Sequence, residues 1–193
     1  MNTKSAILDT ALELFNQQGT AAISTNHIAA ALGISPGNLY YHYRNKQEII
    51  HALFERLFAV WDEAFDLPPG REPSLDDLQT LVRTNFEVLW TYRFIYRELA
   101  ALLREDDNLQ QRFLEVRQRG FEGFRELFAQ FSKAGVIPPV DSPAALDEIT
   151  ELCWLISEFW LPYIEVGGRE VNAANLETAV RLTLRVIGAD SSS

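Results

Sequence analysis

The sequence predicts an all-α fold in which a small N-terminal helix-turn-helix unit is joined by one long helix to a larger helical bundle. Three observations predict it. Apolar residues recur at helical spacing along nearly every patterned stretch, and no segment alternates as a strand must. Helix starts are marked by Ser, Asn or Pro, and helix ends by Gly. With 193 residues and 47% hydrophobic content the chain can bury a substantial core without staples, and its one cysteine, Cys153, excludes an internal disulfide.

The first helix is expected from Thr3 to Gln18, with Ile7, Leu8, Ala11, Leu12 and Phe15 on one stripe and Gly19 just beyond. Ser24 to Lys46, reading STNHIAAALGISPGNLYYHYRNK, then gives a helix, a three-residue glycine turn and a second short helix. Ile28, Ala29 and Leu32 share a face, Gly33 can take the positive φ that ends a helix, and Ser35 with Pro36 supplies a fresh cap and first position. Leu39 and Tyr43, four apart, turn inward against Leu32 and Ile34. That leaves Gly37, Asn38, Tyr40, Tyr41 and His42 on the outer faces of a helix whose geometry suits the DNA major groove.

Asn45 and Glu48 have capping-box spacing, so a long helix begins at Lys46 and carries Ile49, Ile50, Leu53, Phe54, Leu57, Phe58 and Trp61 away from the first unit. The domain boundary is expected inside it, with residues 1–50 as the reader and 51–193 as the body. LPPGREP, residues 67–73, is the clearest break, and Ser74 with Asp77 caps the helix after it. Arg93 to Leu103 reads as a separate amphipathic helix, and Leu109 to Phe131 as a long one closed by Gly135. Ser142 and Pro143 open a helix to about Val166, Gly167 and Gly168 close it, Asn172 opens the last one to about Ile187, and the terminal SSS is a frayed tail.

Charge is distributed unevenly. The net charge is −10, yet residues 1–50 carry three basic and three acidic residues, so all the excess acid lies in the body. An acidic body repels DNA and leaves the N-terminal unit as the tolerable contact face, although an ordinary acidic soluble domain has the same balance. No apolar run reaches the roughly 18 to 20 residues of a membrane span, and no secretory signal is recognisable. A cytoplasmic protein without membrane attachment is expected.

Residues Ile28 to Ile50, IAAALGISPGNLYYHYRNKQEII, resemble the TetR (tetracycline-repressor-like) family of one-component bacterial transcription regulators. An Ile-Ala pair, a Gly-hydrophobic-Ser turn, a Leu-Tyr-Tyr-His-aromatic recognition helix and a Lys-x-Glu helix start follow one another at that family's spacings. The resemblance covers roughly the first 55 residues. It implies a homodimer whose two heads enter successive major grooves of double-stranded DNA, commonly on a palindrome, and whose C-terminal domain binds a small-molecule effector that changes the separation of the heads. By the same resemblance Gly37 and Asn38 approach base edges at the start of the recognition helix, with Tyr41 and His42 one turn on. Tyr40 and Lys46 are then phosphate anchors, Ser24 and Thr25 hold a further phosphate at the start of the second helix, and the cap residue Ser35 belongs to the same contact set. The residue chemistry agrees: Asn38 can donate and accept toward adenine, and Tyr41 can cover a thymine methyl.

The body is rich in aromatics. Trp61, Phe65, Phe86, Trp90, Phe94, Phe121, Phe124 and Trp154 are the candidate ligand-pocket residues, an apolar lining that argues for an apolar or planar effector, with Arg93, Arg97, Glu98, Arg117 or Arg119 as polar handles. Gly120 and Gly123 sit mid-helix among these rings, which invites a reason such as room beside the backbone. The last two long helices have the composition of a dimer interface, with Leu152, Leu155, Phe159, Trp160 and Tyr163 on one and Leu176, Val180 and Leu184 on the other.

An enzyme lacks its parts here. His27, His42 and His51 lie in or beside the reader, no pair has metal-ligand spacing, and no glycine loop follows a strand. Neither a cofactor nor a metal is expected. The competing class is a helical module that binds a small molecule without engaging DNA, which would have no use for Asn38, Tyr41 and Lys46 on the outside. The sign of regulation stays open at this stage, with a repressor favoured.

Overall fold

The computed structural model describes residues 2–64, 67 and 70–189. Among these residues the chain is all-α, as the sequence predicts, and holds nine helices: α1 Thr3–Gln18, α2 Thr25–Leu32, α3 Pro36–His42, α4 Lys46–Ala64, α5 Leu75–Thr91, α6 Arg93–Glu105, α7 Asp107–Lys133, α8 Pro143–Val166 and α9 Ala173–Ile187. Phe65 and the terminal serines 191–193, on which sequence expectations were placed, lie outside the described residues.

Local chemistry sets the helix ends. Ser74 and Asp77 form the expected capping box, Ser142 accepts the Ala145 amide ahead of Pro143, and Asn172 accepts that of Asn175. At α4 the expectation needs correcting. Asn45 Oδ1 does accept the Glu48 amide at 2.9 Å, but the Glu48 carboxylate reaches one residue further back and accepts the Arg44 amide at 2.8 Å. Glu48 thereby satisfies a backbone donor in the turn after α3 instead of closing the box.

The N-terminal unit closes around Ile7, Ala11, Phe15, Ile28, Leu39 and Ile49, all inaccessible to solvent. Helix α4 then leaves this core and enters the body, where Phe54 and Phe58 each pack 6.4 Å from the Phe113 ring of α7. It is not the only link. Phe15 of α1 stacks at 5.2 Å on Phe94 of α6, and the Asn16 side chain bridges the α5–α6 joint by donating to the Thr91 carbonyl at 2.8 Å and accepting the Phe94 amide at 3.0 Å. Phe94, expected in a ligand pocket, is therefore spent on the seam between reader and body, because the α5–α6 joint lies directly against the C-terminal end of α1.

Within the body α5 packs on α9, α8 on both α6 and α9, and α7 on both α6 and α8. Trp160 needs a second correction. Expected as an interface anchor, it is buried at 7% exposure, and its indole N–H donates to the Asn175 carbonyl at 2.9 Å, so it ties α8 to the start of α9 within one chain. Val180 is buried in the same core, whereas Leu176 and Leu184 are half-buried.

Candidate nucleic-acid interface

The recognition segment is held by a few short-range interactions. Gly33 closes α2 at φ +72°, a left-handed conformation that strains any residue with a Cβ, and its amide donates to the carbonyls of Ala29 and Ala30. Two residues later Ser35 Oγ accepts the Asn38 amide at 3.2 Å, and Pro36 follows as a first helical residue that has no N–H to satisfy. Leu39 and Tyr43 anchor the inner side of α3, Tyr43 beneath the Lys4 ammonium at 5.6 Å. Burial pushes the Tyr43 phenol up from its ordinary pKa, against a smaller opposing effect of Arg56.

The outer side carries the residues expected there. Gly37 and Asn38 are exposed, Tyr40 is 46% exposed and Tyr41 84%, while His42 is half-buried with its ring edge-on to Tyr41 at 5.1 Å. An 84% exposed tyrosine on a rigid helix is an unfavourable place for a large apolar ring unless a partner covers it.

Beside α3 the fold gathers hydroxyls and cations. A shallow cleft of about 290 Å³ is lined by Ser24, Thr25, Tyr40, Arg44 and Lys46 together with residues of the α1–α2 turn and Asn45. Thr25 Oγ1 and the Tyr40 hydroxyl lie 3.1 Å apart. Ser24 caps α2 by accepting the His27 amide at 3.3 Å, and its own amide donates to His27 Nδ1, an imidazole standing in for the usual Glu of a capping box. That role for His27 escaped the sequence reading, which had no reason to look for a cap partner of that type. Lys46 is not free: its ammonium donates to the Thr20 carbonyl at 2.7 Å and keeps two further N–H groups. Four of the nine expected DNA contacts, Ser24, Thr25, Tyr40 and Lys46, thus border one anion-sized recess, while Ser35, Gly37, Asn38, Tyr41 and His42 lie along α3 itself.

The expected pocket residues fall into separate groups. Phe121 and Phe124 flank Trp154 of α8 at 4.4 and 5.7 Å, and a Cβ on Gly120 would meet Trp154 Cζ2 at 3.0 Å, so this glycine makes room for the indole. Trp61 lies with Phe58 and Tyr96 at 6.1 and 6.4 Å. Phe86 is core, and Trp90 carries the Arg93 guanidinium over its ring at 4.8 Å, in a cleft shared with Arg97, Glu165 and Arg169.

On α8, Leu152, Leu155, Phe159 and Tyr163 are 47, 56, 43 and 62% exposed, and Val166 extends the same helical stripe. Glu158, one turn on from Leu155, is buried against Arg117, while Glu151, one turn back, is exposed beside the stripe. Among the described residues no group of His, Cys, Asp or Glu is placed to hold a metal ion, and no helix is long and apolar enough to cross a membrane.

Comparison with known proteins agrees with this layout. The family model described as bacterial regulatory proteins, tetR family, matches residues 7–53, and that of TetR, described as bacterial transcriptional repressor, matches residues 59–189. A crystal structure of a TetR-family transcriptional regulator from Marinobacter aquaeolei VT8 is 35% identical over 97% of this chain and 90% of that one, with a TM-score of 0.87. The HTH-type transcriptional regulator AcrR of Shigella flexneri is 40% identical over 53 residues, 28% of this chain and only 25% of that protein. AibR, solved in complex with isovaleryl coenzyme A and operator DNA, shares the fold at 20% identity and a TM-score of 0.68, over 98% of this chain and 100% of that one.

Proposed function

The chain belongs to the TetR family of bacterial transcriptional regulators, and on that premise we propose that it is a homodimeric repressor, released from a palindromic operator when a small apolar or aromatic ligand enters its body. Residues 1–50 read the DNA and residues 51–193 bind ligand and dimerise. The observation that carries this reading is Tyr41, held 84% exposed beside Asn38 and Gly37 on a helix whose other side is locked into the core by Leu39. Asn38 and Tyr41 read base edges, Gly37 lets the backbone approach, and His42 adds a contact one turn on. Ser24, Thr25, Ser35, Tyr40 and Lys46 hold phosphates, which fix register without reading sequence.

The apolar stripe of Leu152, Leu155, Phe159 and Tyr163 supports a two-fold interface in which α8 and α9 pair with those of a second copy. Two heads so joined dock together only when their recognition helices stand about 34 to 36 Å apart or a multiple of it, so a shift of a few ångströms at the seam is enough for release. The seam is built for that transmission, since Asn16, Thr20 and Phe15 bind α6 directly. AibR, which holds both an acyl coenzyme A and operator DNA, supports a body of this fold that answers to a small molecule.

A gel-shift titration with the Asn38→Ala/Tyr41→Ala double variant tests the reading, and it leaves the Lys46–Thr20 tie intact. Affinity for the operator is expected to fall by about a hundredfold or more, at roughly 1 to 3 kcal/mol per specific contact. Unchanged affinity overturns it.

A further inference from the structure

A cleft on the surface of the body has unbalanced charges. It opens where the α5–α6 joint meets the turn between α8 and α9, holds about 290 Å³, and is lined by Trp90, Arg93, Arg97, Glu165, Arg169, Glu170 and Val171. Three guanidiniums face two carboxylates, so the lining carries a single positive charge in a chain whose net charge is −10. Of the three, Arg97 alone has a carboxylate partner among the described residues, its Nε standing 2.7 Å from Glu165. Arg93 instead lies over the Trp90 ring at 4.8 Å and donates to the Trp90 carbonyl at 3.1 Å, and Arg169 lies over the Tyr163 ring at 5.2 Å. A ring face and a carbonyl orient a guanidinium without cancelling its charge.

Position sharpens the imbalance. Arg93 is half-buried and is the first residue of α6, whose first turn holds no acidic residue, so the cation stands at the positive end of that helix. Burial, and then the like charge of Arg97, hold its guanidinium below its ordinary pKa. A half-buried cation beside a second cation is stabilised by an anion that supplies the missing charge. A monoanion brings the lining to neutrality, whereas a doubly charged phosphate leaves excess negative charge against Glu165 and Glu170. A carboxylate also matches the planar fork of a guanidinium with two parallel hydrogen bonds. Trp90 and Val171 offer the rest of the ligand an apolar wall, and the volume is close to the smallest of small-molecule clefts, about 300 Å³.

We propose that this surface cleft binds a small monocarboxylate with an apolar or aromatic tail, held by Arg93 and Arg169 and lying against Trp90. The site is separate from the aromatic groups packed inside the bundle, and its lining comes from α5, α6, the end of α8 and the turn that follows. It requires neither DNA nor any movement of the reader, so it goes beyond the repressor reading and stands or falls independently of it. An occupant joins the α5–α6 joint to the α8–α9 turn and stabilises the folded body in proportion to its affinity.

Calorimetric titration of the full chain with benzoate, neutral benzamide and inorganic phosphate, all at one ionic strength, tests this. Benzoate is expected to bind at least about tenfold tighter than benzamide, as a charge-assisted pair requires, and tighter than phosphate. Arg93→Gln and Arg169→Gln should each weaken benzoate by about tenfold or more. Arg104→Gln, at the other end of α6 with its Nε on the Ala100 carbonyl, should leave benzoate affinity unchanged. Saturating benzoate should raise the Tm of the wild type and not that of Arg93→Gln, and it should change the tryptophan fluorescence of the wild type but not of Trp90→Phe. Absence of benzoate binding, benzamide binding as tightly as benzoate, phosphate binding more tightly, or benzoate affinity unchanged in both Arg93→Gln and Arg169→Gln would each overturn the assignment.

Discussion

Glu98 of α6 accepts three hydrogen bonds from Thr20 in the α1–α2 turn, two from its amide at 3.0 and 3.3 Å and one from its hydroxyl at 2.5 Å. The same carboxylate would stand 2.8 Å from a Cβ on Gly19, so the glycine, at φ +79°, lets it come so close. Thr20 is held from the other side by Lys46, whose ammonium binds its carbonyl. One turn residue thus joins the body, the first helix and the start of α4.

Replacing Glu98 with alanine leaves the buried Thr20 amide and hydroxyl without a partner. Stability should fall by about 1 to 3 kcal/mol, and Glu98→Gln, which keeps an acceptor oxygen, should recover part of that loss. Chemical denaturation of the three proteins checks it. Equal midpoints for wild type and Glu98→Ala would show that the contact does not hold the seam.

Leu39 and Tyr41 sit two residues apart on α3 and should behave oppositely. Leu39 is fully buried, so Leu39→Ala is expected to cost about 2 to 5 kcal/mol of stability. Tyr41 is exposed, so Tyr41→Ala should stay within about 0.5 kcal/mol of wild type and yet lose operator affinity. Thermal melts alongside gel shifts separate the two effects, and a Tyr41→Ala protein with wild-type DNA affinity would contradict its readout role.

The exposed stripe of α8 carries the expected interface. Leu155→Glu places a charge at 56% exposed Leu155, where a partner copy would bury it without a counter-ion. Sedimentation velocity should report a dimer for wild type and a monomer of unchanged helix content for the variant. Two dimers would remove this stripe from the interface.

Acid should loosen the contact between α4 and α7. The hydrogen bond from His51 at 2.6 Å, and then the Leu109 amide at 2.9 Å, hold the Asp106 carboxyl below the usual carboxylate range. A depressed carboxylate contributes stability that is complete above its unfolded value of about 3.9 and is lost as pH falls through the lower folded value. Melting temperature should therefore drop below about pH 4, and less steeply in Asp106→Asn. An identical acid limb in both proteins would assign the loss elsewhere.

Much of this was legible in the chain because it is local. Ser35 with Pro36, Gly33, Ser74 with Asp77, and Asn172 act on backbone groups within four residues, so spacing alone locates the helix ends and, through Leu39 and Tyr43, the two sides of α3. Contacts between distant segments left no such trace. Glu98 and Thr20 are 78 residues apart, and nothing around either marks the other. Periodicity told that Phe94 and Trp160 are core-facing but not which neighbour they face, so one was placed in a pocket and the other at an interface, when Phe15 and Asn175 claim them. The pairing of Glu158 with Arg117 left no mark for the same reason: a lone polar residue in an amphipathic helix gains meaning only from what lies across from it.

The central claim is that two copies of α3 read one operator together and let go when the body is occupied. Footprinting on the DNA that flanks the gene, with and without apolar or aromatic ligands, tests it most directly. The account expects one symmetric protected site with two half-sites about 10 base pairs or a multiple apart, weakening steeply as salt rises and lost on ligand addition. Protection without two-fold symmetry, or protection indifferent to salt, would contradict it.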